Sequence, residues 1–146
     1  MRRGYFEIGI YRGKTPSNLG TLWRSAFQLG ASGIFIIGDR FRKESSDTIK
    51  AWRHIPIRAY TDFEHFLSCR PHSCLLVGIE MGGISLTSYR HPERALYLLG
   101  AEDVGLPENV IEKCNNLISL DAVRTESYNV AVAGSLVMYH RQFVDH

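Results

Sequence analysis

The sequence predicts an α/β domain built on a parallel sheet of about six strands, and three observations carry that reading. Short runs rich in branched and aromatic residues recur along the chain, several of them are apolar almost throughout, and helix-like segments separate them. Strands covered on both faces read in this way, because neither side can afford a polar stripe.

In chain order the strand-like runs are Phe6 to Tyr11, Gly33 to Gly38, Ile57 to Tyr60, Cys74 to Ile79, Ala95 to Gly100 and Leu117 to Leu120. Ile34-Phe35-Ile36-Ile37 and Leu96-Tyr97-Leu98-Leu99 are the most apolar, so helices are expected on both faces of the sheet. The helical candidates are Leu19 to Leu29, Ser46 to Arg53, Asp62 to Cys69 and Pro107 to Cys114, with a last helix from about Asn129 to Phe143.

The first helix shows how pattern becomes geometry. Pro16 and Ser17 signal its start and Gly30 its stop, while Leu19, Leu22, Trp23, Ala26 and Phe27 form one apolar stripe. Arg24 falls beside that stripe. Gly20, one turn earlier on the same flank, leaves room for a ligand to approach it. The last helix is different: from Val130 to Tyr139 it carries no charge and mixes small with large apolar residues. It is expected to be buried almost all round, with its small residues suited to close packing against another backbone, including a second subunit.

The 146 residues, 45% hydrophobic and 22% charged, fit one domain spanning 1–146. Seventeen Lys and Arg against fifteen Asp and Glu leave a charge of +2, too small for a global field that gathers nucleic acid. A polyanion must therefore be held by a local patch. No stretch reads as a secretory signal or as 18 consecutive apolar residues, so no membrane partner is expected. Cys69, Cys74 and Cys114 lack CxxC spacing, and the six histidines lack ligand spacing, so no metal site is expected and a reducing cytoplasm fits best.

Three segments combine glycine, a polar residue and a strand end or helix start. They run from Asn18 to Gly30, from Leu98 at the end of a buried strand to Pro107, and from Ser127 to Ala133 at the opening of the last helix. Strand ends of open parallel sheets are where such folds bind ligands. Taken singly, each segment has a structural use: Gly100 and Gly105 in turns, Ser127 as a helix cap, Asn18 at a helix start.

In this order the segments resemble the three motifs of the SpoU/TrmH branch of the SPOUT superfamily, RNA ribose 2′-O-methyltransferases that use S-adenosylmethionine. The pattern is Asn-x-Gly-x-x-x-Arg-x-Ala, Gly-x-Glu-x-x-Gly-Leu and Ser-x-Asn-Val-x-x-Ala, and the length is similar to that of the minimal members. The resemblance implies a C-terminal segment threaded as a deep trefoil knot, a feature otherwise rare in proteins. It also implies a homodimer formed partly by the last helix.

Residue by residue, the resemblance places Asn18, Arg24, Glu102, Ser127 and Asn129 on the catalytic side. It places Ile79, Gly100, Glu102, Gly105, Leu120 and Tyr128 around the cofactor. Two departures stand out. The strand that in the family ends Ile-Pro-Met is here Ile118-Ser119-Leu120-Asp121-Ala122, and Tyr128 replaces the usual Leu or Met. Cofactor contacts in these loops are expected to be largely main-chain, which such changes leave intact.

The chemistry asks the protein to align a ribose hydroxyl with a methyl sulfonium and to manage one proton. The family account casts the motif arginine as general base. A guanidinium with a pKa above ~12 fits better as a bidentate grip on the neighbouring phosphate that also stabilises charge on the 2′-oxygen. Glu102 is either part of this site or an acceptor for exposed N–H groups in the turn before Pro107. Arg40, Arg42 and Lys43, followed by Arg53, His54 and Arg58, are with Arg24 the candidate grips on RNA, with Phe41 and Trp52 available for stacking. The alternative is a solvated loop rim. A tRNA is favoured over rRNA. The rival readings are a non-catalytic knotted protein that binds RNA or cofactor, a methyltransferase of a base nitrogen, and an unrelated nucleotide-binding domain. The last would need a phosphate loop that the sequence lacks.

Overall fold

The computed structural model describes residues 4–38, 55–125 and 127–145. β1 (Tyr5–Tyr11) leads through α1 (Pro16–Leu29) to β2 (Gly33–Ile37), and β3 (Ile57–Tyr60) through α2 (Phe63–Cys69) to β4 (Leu75–Ser85). β5 (Arg94–Gly100), the short α3 (Glu108–Ile111), β6 (Asn116–Ser119) and α4 (Val130–Tyr139) complete the order, followed by a π-helical turn over His140–Val144. The helix expected over Ser46 to Arg53 lies outside the described residues.

The six strands form one sheet in the order β3-β2-β1-β5-β4-β6, and every pairing is parallel. The all-apolar runs fall on its inner strands: all five residues of β2 are buried, as are Ala95 to Leu99 of β5. One face packs against α1 and α4 through Leu19, Leu22, Trp23, Val137 and Met138. The other packs against α2 and α3 through Phe63, Phe66 and Val110. Helices on both faces are thus observed.

Local sequence explains the ends. Pro16 opens α1 where its missing N–H costs nothing. Asp62 accepts the backbone N–H of His65 at 2.8 Å and caps α2. β4 runs past the expected end at Ile79 because it contains a bulge. Val77 to Ile79 pair with Asn116 to Ile118, residues 80–83 leave the ladder, and Ile84 pairs again with Ile118. Such a bulge re-aims the residues it contains.

Two expectations about helix faces change. Phe27 is 42% exposed, because at 100° per residue it lies about 80° round from Leu19, on the rim of the stripe. α4 is not buried all round: Val132, Leu136 and Tyr139 are exposed, whereas Ala131, Ala133 and Gly134 face inward. The small residues serve the chain's own core, since a Cβ on Gly134 would meet Leu22, Leu99 and Ile8 within 3.2 Å.

The segment after α4 is pinned to the start of β5 by a buried polar network. Arg141, 1% exposed, donates to the Pro92 and Glu93 carbonyls at 2.7 and 2.8 Å and to the Tyr97 hydroxyl at 3.0 Å. Its guanidinium also lies over the Phe6 ring, 4.8 Å from the centroid. The His91 backbone N–H donates to Asp145, and its ring joins Tyr97 and His140.

Candidate active site

The ends of β4, β5 and β6 and the start of α4 enclose an open cleft of about 320 Å³. Ile79, Gly100, Glu102, Gly105, Leu120 and Tyr128, the six positions expected around a cofactor, all line it, and so does Ser127. The parallel topology explains the convergence: parallel strands end on the same side of a sheet, where ligands bind.

Glycine at two positions shapes the wall. A Cβ on Gly100 would sit 2.4 Å from the carbonyl carbon of Gly105, so the chain folds back on itself too closely for any side chain. Gly105 has φ +67° and donates its N–H to the Ala101 carbonyl at 2.8 Å, closing the loop. The tight loop carries Glu102 outward.

Glu102 accepts a hydrogen bond from the Asn18 side-chain amide, 84 residues earlier in the chain. Asn18 in turn accepts from the Asn129 amide at 3.0 Å. The Asn129 side-chain oxygen Oδ1 accepts the Ala131 and Val132 N–H groups at 2.9 and 3.2 Å, so Asn129, rather than Ser127, caps α4. One polar residue from each segment therefore belongs to a single run of hydrogen bonds. Asn18 and Asn129 adjoin the cleft through Glu102 and are not part of its lining.

Arg24 is exposed on α1 and does not line the cleft. Gly20 beside it has open space where a Cβ would stand. Arg40, Arg42, Lys43, Arg53 and His54 lie outside the described residues. Tyr128, the unusual residue of the third segment, donates its hydroxyl to the Asp121 carbonyl at 2.6 Å and closes the loop after β6. The Asp121 carboxylate accepts from Ser85.

Sequence reasoning missed Glu80, Met81, Asp103, Val104 and Ser119 in the lining. Glu80 matters most. It accepts the Leu106 N–H at 2.7 Å and the Met81 N–H at 3.0 Å, which is the work expected of Glu102 in the turn before Pro107. A glutamate followed by Gly82-Gly83 at the end of a buried strand was the available signal. Glu80, Glu102 and Asp103 are the acidic residues among the described lining.

Among the described residues no group of three His, Cys, Asp or Glu side chains could hold a metal ion, and no helix is long and apolar enough to cross a membrane.

The model of the SpoU rRNA Methylase family matches residues 6–139. The chain belongs to that family. The SpoU match contains all three polar segments and the cleft they build. The chain is 28% identical over 135 residues to the mouse (Mus musculus) tRNA (guanosine(18)-2′-O)-methyltransferase TARBP1, covering 85% of this chain and 8% of that one. It spans about half or less of the curated relatives it matches. A structure solved for the 2-OH methylation of C/U34 on tRNA superposes with TM-score 0.83 at 25% identity, over 97% of this chain and 91% of that chain. An AdoMet-bound rRNA methyltransferase from Sinorhizobium meliloti superposes with TM-score 0.82 at 27% identity, over 99% and 59%.

Proposed function

We propose that this SpoU-family chain transfers a methyl group from S-adenosylmethionine to a ribose 2′-hydroxyl of RNA, with tRNA favoured over rRNA. The observation that carries the reading is the run Asn129, Asn18, Glu102, which gathers one residue from each segment beside a cleft at the strand ends. The mouse relative's tRNA 2′-O activity and the structure concerned with 2-OH methylation of tRNA support the ribose and tRNA assignments.

The cleft residues fit the cofactor. Main chain at Ile79, Gly100, Leu120 and Tyr128 would hold its adenosine part, with Gly105 shaping the loop. The lining carboxylates Glu80 and Glu102 suit a ligand that carries a positive sulfonium. When bound, S-adenosylmethionine supplies an electrophilic methyl carbon with a neutral thioether as leaving group.

The chain's own residues align the partners. Asn18, held between Asn129 and Glu102, orients the ribose, and Ser127 in the lining adds a polar contact. Arg24 grips the adjacent phosphate and stabilises charge growing on the 2′-oxygen, whose proton passes to phosphate or water. Arg40, Arg42 and Lys43 extend the grip on RNA.

A homodimer and a knot belong to the same proposal. The exposed apolar stripe Val132, Leu136, Tyr139 and Phe143 on α4 and the following turn supports self-association. The chain path supports threading: β6 lies at the sheet edge beside β4, yet Leu120 and Tyr128 share the cleft with loop 100–105, and α4 packs centrally on α1. A cytoplasmic location belongs to the same proposal, supported by the three free cysteines among the described residues.

Incubation of labelled cofactor with total tRNA and rRNA from cells lacking the protein, followed by nucleotide mapping, tests the reading. Label is expected on a ribose of tRNA. Label on a base overturns the ribose assignment, and label in rRNA alone overturns the preference for tRNA. Cofactor binding without transfer to any RNA replaces catalysis by a binding role. Arg24→Ala is expected to lower turnover about 10³-fold. Measurable activity in Arg24→Lys indicates a charge role, and complete loss indicates bidentate geometry or a base.

A further inference from the structure

Loop 101–106 does two jobs at once. Its backbone walls the cleft at Ala101 and Gly105, and its Glu102 side chain partners Asn18. The bond from the Gly105 N–H to the Ala101 carbonyl closes it upon itself and does not anchor it to the sheet.

Glu80 adds an anchor from outside the loop. This residue stands where β4 leaves its ladder with β6, so the bulge frees it from strand pairing and presents it to the loop. One carboxylate oxygen accepts the Leu106 N–H at 2.7 Å, and the other accepts the Met81 N–H at 3.0 Å. The first oxygen would also lie 2.7 Å from a Cβ on Gly105, so the carboxylate packs directly against the loop where only glycine fits. Hydrogen bonds from N–H groups to an ionised carboxylate are among the stronger ones. Both acceptors are used, one on each side of the gap between β4 and the loop.

We propose that Glu80 is a positioning residue that latches loop 101–106 to the end of β4 and thereby holds both the cofactor wall and Glu102 in register. The latch rests on the reading of the cleft as a cofactor site. Glutamine at this position offers one acceptor oxygen and turns an amide N–H₂ toward the second N–H, so it keeps half of the latch. Alanine keeps none.

The test compares wild type, Glu80→Ala, Glu80→Gln, Glu102→Ala and the Glu80→Ala/Glu102→Ala double variant. Glu80→Ala is expected to weaken S-adenosylmethionine binding about tenfold in calorimetry, the worth of roughly one charged hydrogen bond. Exchange of the Leu106 amide is expected to accelerate, while KM for RNA stays unchanged. Glu80→Ala is also expected to lower kcat, and because Glu80 acts on kcat through the loop that carries Glu102, removing it in the Glu102→Ala background is expected to lower kcat by a smaller factor than removing it from wild type. Glu80→Gln is expected to lie between wild type and Glu80→Ala in every readout, and it carries the test if Glu80→Ala does not fold. Unchanged cofactor affinity in folded Glu80 variants overturns the proposal, as do kcat losses that multiply in the double variant. If wild type binds no S-adenosylmethionine, the cofactor reading fails instead, and Leu106 exchange still reports whether the latch exists.

Discussion

Two polar clusters tie the C-terminal part of this chain to its sheet, and they differ in a way that separates structure from function. Beside the cleft, the run Asn129, Asn18, Glu102 is largely exposed and borders an open space. At the start of β5, the cluster of Arg141, Tyr97, His91 and Asp145 is buried, and these four side chains line neither the cleft nor the apolar groove beside His140. A buried polar group must be paired or it costs the fold dearly. An exposed one costs little, so several amides and a carboxylate held together at a cleft call for another explanation, which the proposed substrate would supply.

The largest effect that sharpens this contrast is on stability. Arg141→Ala removes donors to two backbone carbonyls and to Tyr97 and is expected to cost about 3 kcal/mol or more, read by urea unfolding. Turnover per folded molecule should survive. Next in size is Asn18→Ala, expected to lower kcat about 10²-fold, equivalent to about 2.7 kcal/mol in the barrier, with stability changed by about 1 kcal/mol or less. If Asn18→Ala instead unfolds the protein and leaves kcat intact, the two clusters have the same role and the contrast breaks.

The smallest effect concerns pH. Burial pushes the Cys114 thiol up to about 11 from its ordinary 9.0. The unfolded thiol therefore ionises first, so this contribution to stability is complete below about pH 9 and is lost as pH rises to about 11. Cys114→Ala should flatten that part of the alkaline unfolding curve. Cys69, the exposed cysteine, should react first with a thiol reagent at neutral pH, ahead of buried Cys74.

Much of the fold was legible because its signals are local and strong. Pro16 and the stripe Leu19, Leu22, Trp23 and Ala26 define α1, and the apolar runs of β2 and β5 could be little else than central strands. α4 was harder. A helix apolar on every side carries no sign of which face the core will take, so exposed Val132 and Leu136 could not be told from buried Val137 and Met138.

The cleft divides in the same manner. Residues in the three polar segments were legible as a set, because their spacing resembles a known family. Glu80 was not, because its role depends on a register shift between β4 and β6, a relation between segments distant in sequence. The same holds for the cap on α4: Ser127 and Asn129 are both good capping residues, and only the entry angle of the chain chooses Asn129.

Hydrogen exchange of the wild-type protein with and without S-adenosylmethionine tests the central claim most directly. Saturable binding of one cofactor per chain is expected, with slowed exchange in the segments that line the cleft, residues 79–81, 99–105, 119–120 and 127–128. Absence of binding, or protection confined to the opposite end of the sheet around His91 and Arg141, would contradict it.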